Sequence, residues 1–340
     1  MRPSHRSLLI NISLAVGTAL VCITVGEVAL RVMGIEKGHV SPPLIYQRSS
    51  NPSISYELKP SGRTRAFRST ITTNSKGFRS PEPDPSKKTL AVLGDSITFG
   101  YGVENEKTLP SQLQKLLPDY NFLNAGVPGY NLVQEAATYT QKIAPLNPAG
   151  LILVFYWNDL HDLEPAVLAD DGNLREKGQE GPSFHCAPII EGIMGWIPGK
   201  CWLDTHSSIY RVLKKLIIAK TIKASQKETQ EQLGGDLGYE WVTEEDFNAY
   251  EKQFETFAAS LPPTLPRLFV IWPETPLHFA LRPKLKEFVA QKGFKVLDLY
   301  EIFGNDAETL GWDTVHPSKE TIERAARVVA EFMKMEGIVK

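Results

Sequence analysis

The sequence predicts an α/β fold built on a parallel sheet and preceded by one long apolar helix. Two patterns carry that prediction. Short apolar runs at residues 89–93, 120–123 and 151–155 alternate with helical spacing at 110–117 and 132–143, and this order implies right-handed crossovers between parallel strands. The second pattern is an almost wholly apolar run from Leu8 to Leu30, interrupted only by small or polar residues and by Glu27 near its end.

At 1.5 Å per residue that run reaches about 30 Å or slightly more, enough to span a bilayer. It is longer than the core of a cleaved signal peptide and lacks an Ala-x-Ala-like site, so residues 1–33 read as an uncleaved, single-pass anchor. Val21 before Cys22, with apolar sequence continuing after it, disfavours lipoprotein processing. Arg2 and Arg6 precede the run while Arg31 and Lys37 follow it, so charge alone leaves the orientation open.

Residues 34–88 are rich in Pro, Ser and Arg and have no long apolar period, which reads as a linker ending in edge structure. A β-rich run from Thr70 turns at Lys76-Gly77 and should place Phe78 on the core. Arg79 is read as a surface residue in preference to one reaching the site. Residues 89–340 form the main domain, with an insertion at about 160–262. The insertion is irregular as far as His206 and then carries helical spacing at 209–224 and 244–261. Strands are expected again at 267–272 and 295–300, with a helix at 283–291 between them. A terminal helix is expected at 317–335, where Ile322, Ala325, Val328, Val329 and Phe332 share one face.

The chain has 340 residues, 42% of them hydrophobic and 22% charged, which suffices for one sizeable α/β core with additions. A net charge of −2 and the lack of a basic stripe interleaved with aromatics argue against nucleic acid. Lys214, Lys215, Lys220 and Lys223 read as the wet face of a helix. Outside the anchor the cysteines are Cys186 and Cys201, enclosing a stretch of Pro, Gly and Trp. A disulfide between them would add about 3 kcal/mol in the chain-entropy model and place the domain outside the cytoplasm. Two free thiols are the plain alternative. Zinc held by His185, Cys186, Cys201 and His206 lacks paired Cys-x-x-Cys spacing.

Gly94-Asp95-Ser96 follows the first strand, at the carboxyl edge where open α/β sheets bind ligands. There Ser96 is either a nucleophile or, with Asp95, a helix cap. A serine hydroxyl needs a base to become nucleophilic. His316 can be that base and Asp313, three residues before it in a loop closed by Pro317, can hold its ring.

Gly94-Asp95-Ser96 with Thr98 and Gly100 resembles the first block of the SGNH (GDSL-like) hydrolase family. Asn124-Ala125-Gly126-Val127-Pro128-Gly129 resembles the second block, Tyr156-Trp157-Asn158-Asp159 the third, and Asp313 to Pro317 the last. The blocks arrive in the family's order and span roughly residues 70–335. Asn74 to Arg79 resembles a stretch found in a membrane-anchored subset. The resemblance implies a flavodoxin-like three-layer α/β/α sandwich, the triad Ser96, His316 and Asp313, no cofactor and no metal. It also implies an oxyanion hole from the Ser96 N–H, the Gly129 N–H and the Asn158 amide. The departure is Tyr156, where the family has glycine; its ring either narrows the pocket or points into the core.

The resulting expectation is a membrane-anchored serine esterase, its catalytic domain periplasmic or extracellular, acting on O-acyl groups of carbohydrate or on a lipid ester. An envelope polysaccharide O-acyltransferase and a catalytically silent envelope binding protein are the alternatives. The insertion leaves the sheet after Asn158, where it could cover the site. Trp157, Trp196 and Trp202 either offer flat faces to substrate or pack the insertion. A metal cluster in Asn158-Asp159-Leu160-His161-Asp162 is set aside as a polar loop, and His278 as a loop residue.

Overall fold

The computed structural model describes residues 5–33, 44–160, 165–170, 172–175, 177, 197–214, 216, 217, 220, 243–273, 281–304, 306–311, 313 and 315–340. The chain divides into two units: Met1–Pro42 with Phe184–Thr221, and Pro43–Ser183 with Ile222–Lys340.

The larger unit is organised around five parallel strands, β5 (Lys88–Leu93), β6 (Tyr120–Asn124), β7 (Gly150–Phe155), β10 (Arg267–Ile271) and β11 (Lys295–Asp298). Their spatial order is β11-β10-β7-β5-β6, so the chain starts in the interior of the sheet, steps to one edge and then reverses past its starting strand. That reversal opens a crevice at the carboxyl ends of β5 and β7, the position at which open α/β sheets place their sites.

Side-chain alternation along the strands makes the three layers. Ala91, Leu93, Leu151, Leu153, Phe155, Phe269 and Ile271 point to one face. There they meet α4 (Leu132–Thr138), α6 (Glu244–Ser260) and α7 (Leu281–Gln291) through Leu132, Phe254 and Leu285. Leu90, Val92, Ile152, Val154, Leu268 and Val270 point to the other, against Leu113 of α3 (Leu109–Leu116) and Ile322, Ala325, Val329 and Met333 of α8 (Lys319–Met335). A period of two that is apolar on both faces is what a sheet covered on both sides requires. α4 continues through a π-helical turn at Tyr139–Ile143, completing the helix expected at 132–143.

The stretch expected as linker and edge is more ordered than its composition suggests. It forms two antiparallel hairpins, β1 (Tyr46–Arg48) with β2 (Tyr56–Leu58), and β3 (Arg63–Ala66) with β4 (Ser69–Thr72). Ile45, Ile54, Tyr56, Leu58 and Ile71 make a third core with Phe99, Val127 and Tyr130, so the hairpins brace the loops that carry the candidate site. A short hairpin, β8 (Val167–Leu168) with β9 (Leu174–Arg175), opens the insertion.

In the smaller unit, α1 (His5–Val32) contains a stretch, Leu9–Val32, that is long and apolar enough to cross a membrane. α5 (Lys200–His206) and a helix beginning at Ser208 accompany it. His161, Asp162, His185, Cys186, Trp196 and His278 lie outside the described residues, and with them the Cys186–Cys201 bridge.

Candidate active site

β5 delivers its chain to the crevice through Gly94, whose φ of 151° suits glycine alone. A Cβ there would stand 2.2 Å from Thr98 Oγ1 and 2.9 Å from the Val154 carbonyl. One helical turn, α2 (Ser96–Phe99), follows. Asp95 caps it by accepting the Ile97 N–H at 2.8 Å, and Gly100, at φ 87°, closes it. Ser96 thus heads a helix with its hydroxyl facing the crevice.

Residues 220 positions away complete the arrangement. The Leu310 N–H donates to the His316 carbonyl, and Thr309 and Pro317 form a bridge that holds this loop beside β5's exit. Asp313 Oδ1 accepts the N–H groups of Val315 and His316 at 2.8 and 3.0 Å, while Oδ2 lies 2.8 Å from His316 Nδ1. His316 Nε2 is 2.9 Å from Ser96 Oγ. Burial pushes the Asp313 carboxyl up, but its bonds to the His316 ring and to the two backbone N–H groups prevail and hold it below its ordinary value. An ionised Asp313 fixes the proton on Nδ1, which leaves Nε2 as acceptor for the Ser96 hydroxyl. The three side chains can therefore pass a proton from Ser96 to His316 while Asp313 stabilises the resulting imidazolium.

The second loop runs from Asn124 to Tyr130. Gly126 packs so tightly against α2 that a Cβ would meet the Phe99 nitrogen at 2.3 Å, and its own N–H donates to Asn124 Oδ1 at 3.1 Å. Gly129 is exposed at the crevice with φ 79°. The Tyr56 hydroxyl donates to the Pro128 carbonyl at 2.7 Å, and the Tyr130 hydroxyl returns a bond to the Tyr56 carbonyl, fixing the loop on the β1–β2 hairpin. Asn158 is also exposed there, and its amide donates to Asp95 Oδ2 at 3.3 Å.

The structure corrects one sequence reading, that of Arg79, and decides between the two left open for Trp157. Arg79 is no surface residue: it is fully buried and donates to the carbonyls of Phe99, Gly100 and Val103 and to Asn105 Oδ1, because the tight turn after α2 leaves those oxygens without water. Trp157 offers no face to substrate; it is 0% exposed, with its ring edge-on to Phe155 in the core. Tyr156 is 4% exposed among Ile152, Val154 and Trp272, so its ring points into the core and leaves the crevice beside Asn158 clear. Trp202 is exposed, in the smaller unit.

Sequence reasoning missed three neighbours of the site. Tyr101 stacks on the His316 ring with centroids 4.0 Å apart and planes at 19°, and Phe67, held at φ 51° in the β3–β4 turn, lies 4.4 Å beyond Tyr101. Leu174 comes within 3.7 Å of where a Gly129 Cβ would be, so the first hairpin of the insertion borders the crevice. Tyr101 directly follows the Gly94–Gly100 block, which was the available signal; the other two come from the tertiary fold.

Beneath the crevice, Asp95, Glu135 and Asp159 are buried and influence one another. Burial raises all three, and mutual repulsion pushes Glu135 and Asp159 further, well above the usual carboxylate range. Among the described residues, Glu135 Oε1 and Asp159 Oδ1 are buried without a hydrogen-bond partner, which favours the neutral acid.

The fold and site define a three-layer α/β/α protein with a serine, histidine and aspartate in line at the sheet's carboxyl edge. No protein-family profile matches the chain, and no curated protein is similar to it in sequence. Among solved structures it is similar to TesA, with 14% identity and a TM-score of 0.42 over 74% of this chain and 100% of that chain. It is also similar to a member of the lipolytic protein G-D-S-L family from Veillonella parvula, at 12% identity and a TM-score of 0.38 over 73% and 98%. A third is the acetyl xylan esterase Est2A from the rumen bacterium Butyrivibrio proteoclasticus, at 12% identity and 0.41 over 75% of this chain and 66% of that chain.

Proposed function

We propose that this chain is a membrane-anchored serine esterase of the SGNH type that hydrolyses acyl esters. The observation that carries the reading is the continuous line from Asp313 through His316 to Ser96, with bonds of 2.8 and 2.9 Å. Ser96 Oγ attacks the acyl carbon as its proton passes to His316 Nε2, and the carbonyl oxygen becomes an oxyanion. The intermediate collapses as His316 returns the proton to the departing alkoxide, leaving an acyl-serine. Water, deprotonated by the same nitrogen, then releases the acid.

The oxyanion is assigned to the N–H groups of Ser96 and Gly129 and to the Asn158 amide. Gly129 is favoured over Gly126 because the latter's N–H is already engaged by Asn124. Loss of one such donor typically costs about 10²–10³ in rate. The acyl ester is assigned to carbohydrate or lipid, and Leu9–Val32 is assigned the anchor, with the catalytic unit outside the cytoplasm. The chemistry of these residues draws on no cofactor.

The test uses the full chain in vesicles, labelled with a fluorophosphonate and assayed on short and long p-nitrophenyl esters, beside Ser96→Ala. Labelling and turnover that both vanish in the variant support the reading. A folded wild type that neither labels nor turns over refutes it. Labelling with turnover only when a sugar hydroxyl is supplied would make the chain an acyltransferase.

A further inference from the structure

The smaller unit holds a feature that anchoring alone leaves unused. Glu27 lies in the last third of the apolar helix, and its carboxylate turns to the junction between α5 and the following helix. Oε1 accepts the Ser208 N–H at 2.7 Å, and Oε2 accepts the Ile209 N–H at 3.0 Å and the Ser207 hydroxyl at 3.1 Å. One turn further on, Arg31 pairs with Glu27 at 2.7 Å and donates to the carbonyl of His206, the last residue of α5. A single i, i+4 ion pair thus places its negative end on the start of one helix and its positive end on the end of another, matching both helix dipoles.

Depth follows from counting. Starting at Leu9, about 20 residues fill the hydrocarbon core, which brings the far boundary to the neighbourhood of Glu27. The clip therefore lies at the interface, where an ion pair with additional donors is tolerated. The helix it starts is amphipathic: Ile209, Leu213, Leu216 and Ile217 share one stripe. The stripe begins against α1, where Ile209 Cδ1 is 3.4 Å from a would-be Gly26 Cβ, and then runs outward with Leu213, Leu216 and Ile217 exposed. On α5, Trp202 is 62% exposed, and Lys200, Lys214 and Lys220 add positive charge along the segment.

We propose that α5 and the helix beginning at Ser208 are a second membrane element, an interfacial helix pair clipped by Glu27 and Arg31 to the end of the anchor and laid on the phospholipid surface by Trp202, Leu213, Leu216 and Ile217. The occupant of this apolar face is the bilayer because the stripe is continuous with the helix assigned to span it. An exposed tryptophan with flanking lysines is also the composition of a headgroup-level surface. The inference rests on the anchor reading and adds to it a second contact with the membrane surface.

The test places a genetically encoded fluorescent amino acid at Val16, Leu213 or Leu216 of the full chain in phosphatidylcholine and phosphatidylglycerol vesicles, with bromine-labelled lipids as quenchers. Deep bromines should quench Val16, and shallow bromines should quench positions 213 and 216 by about half or more. Quenching at Val16 with none at 213 and 216 overturns the interfacial helix and leaves the anchor standing. No quenching at Val16 overturns both. In Glu27→Gln, quenching at Leu213 should fall while Val16 is unchanged; an unchanged Leu213 overturns the clip.

Discussion

Replacing Arg79 tests how the turn after the nucleophile is held. Its guanidinium donates to the carbonyls of Phe99, Gly100 and Val103 at 3.0, 2.7 and 2.7 Å and to Asn105 Oδ1 at 2.8 Å, and it lies 4.5 Å from the centre of the Phe99 ring. Burial pushes its pKa down to about 9, opposed by Glu104 and Glu106, so it stays charged at neutral pH. In Arg79→Met the apolar volume is kept and the donors are lost. The losses are unequal: Phe99 O retains the Asn124 amide and Gly100 O retains the Val103 N–H, whereas Val103 O loses a strong donor. A buried acceptor stripped of a charged partner costs about 1–3 kcal/mol, and the set amounts to about 3–5 kcal/mol. Arg79→Lys keeps the charge but not the planar fork that reaches several acceptors at once, and should lose roughly half as much. Urea unfolding at pH 7 gives both stabilities, and p-nitrophenyl acetate turnover reports whether Ser96 moves with the loop. A Met variant within about 1 kcal/mol of wild type, or a Lys variant no better than Met, refutes the argument.

The other predictions concern packing, protonation and the histidine ring. Gly126→Ala forces a methyl to within 2.3 Å of the Phe99 nitrogen, so the chain should lose several kcal/mol by urea titration, whereas Gly311→Ala, with open space around it and no positive φ, should lose far less. Glu135 is held neutral in the fold, so its contribution is complete in acid and declines as pH rises above the unfolded carboxylate value. Glu135→Gln should match wild-type thermal stability near pH 4 and exceed it at pH 8; equal stability at both would show that burial does not perturb this group. Tyr101→Leu removes the flat ring beneath His316 and should lower turnover by about tenfold, while Tyr101→Phe preserves it. Unchanged turnover in the Leu variant would make the stack incidental.

Sequence alone was enough to place the five strands of the parallel sheet and to name candidate site residues, because both depend on local patterns. Apolar runs such as 89–93 and 151–155 are long enough to be seen unaided, and Gly94 to Gly100 and Asp313 to Pro317 are contiguous. What the sequence could not show is what a residue meets from far along the chain. Residues 46–72 lack a long apolar period, yet Ile54, Tyr56 and Ile71 become core because Phe99, Val127 and Tyr130 arrive from elsewhere to cover them. Arg79 reads as polar surface until the carbonyls at 99–103 surround it, and whether Trp157 faces substrate or packs is settled only when the core formed with α6 and β7 closes over it. Ser96 and His316 stand 220 residues apart in sequence. The short block around each made them a candidate nucleophile and base. Their 2.9 Å separation depends on the strand order reversing about β5, a constraint that no local window of the sequence contains.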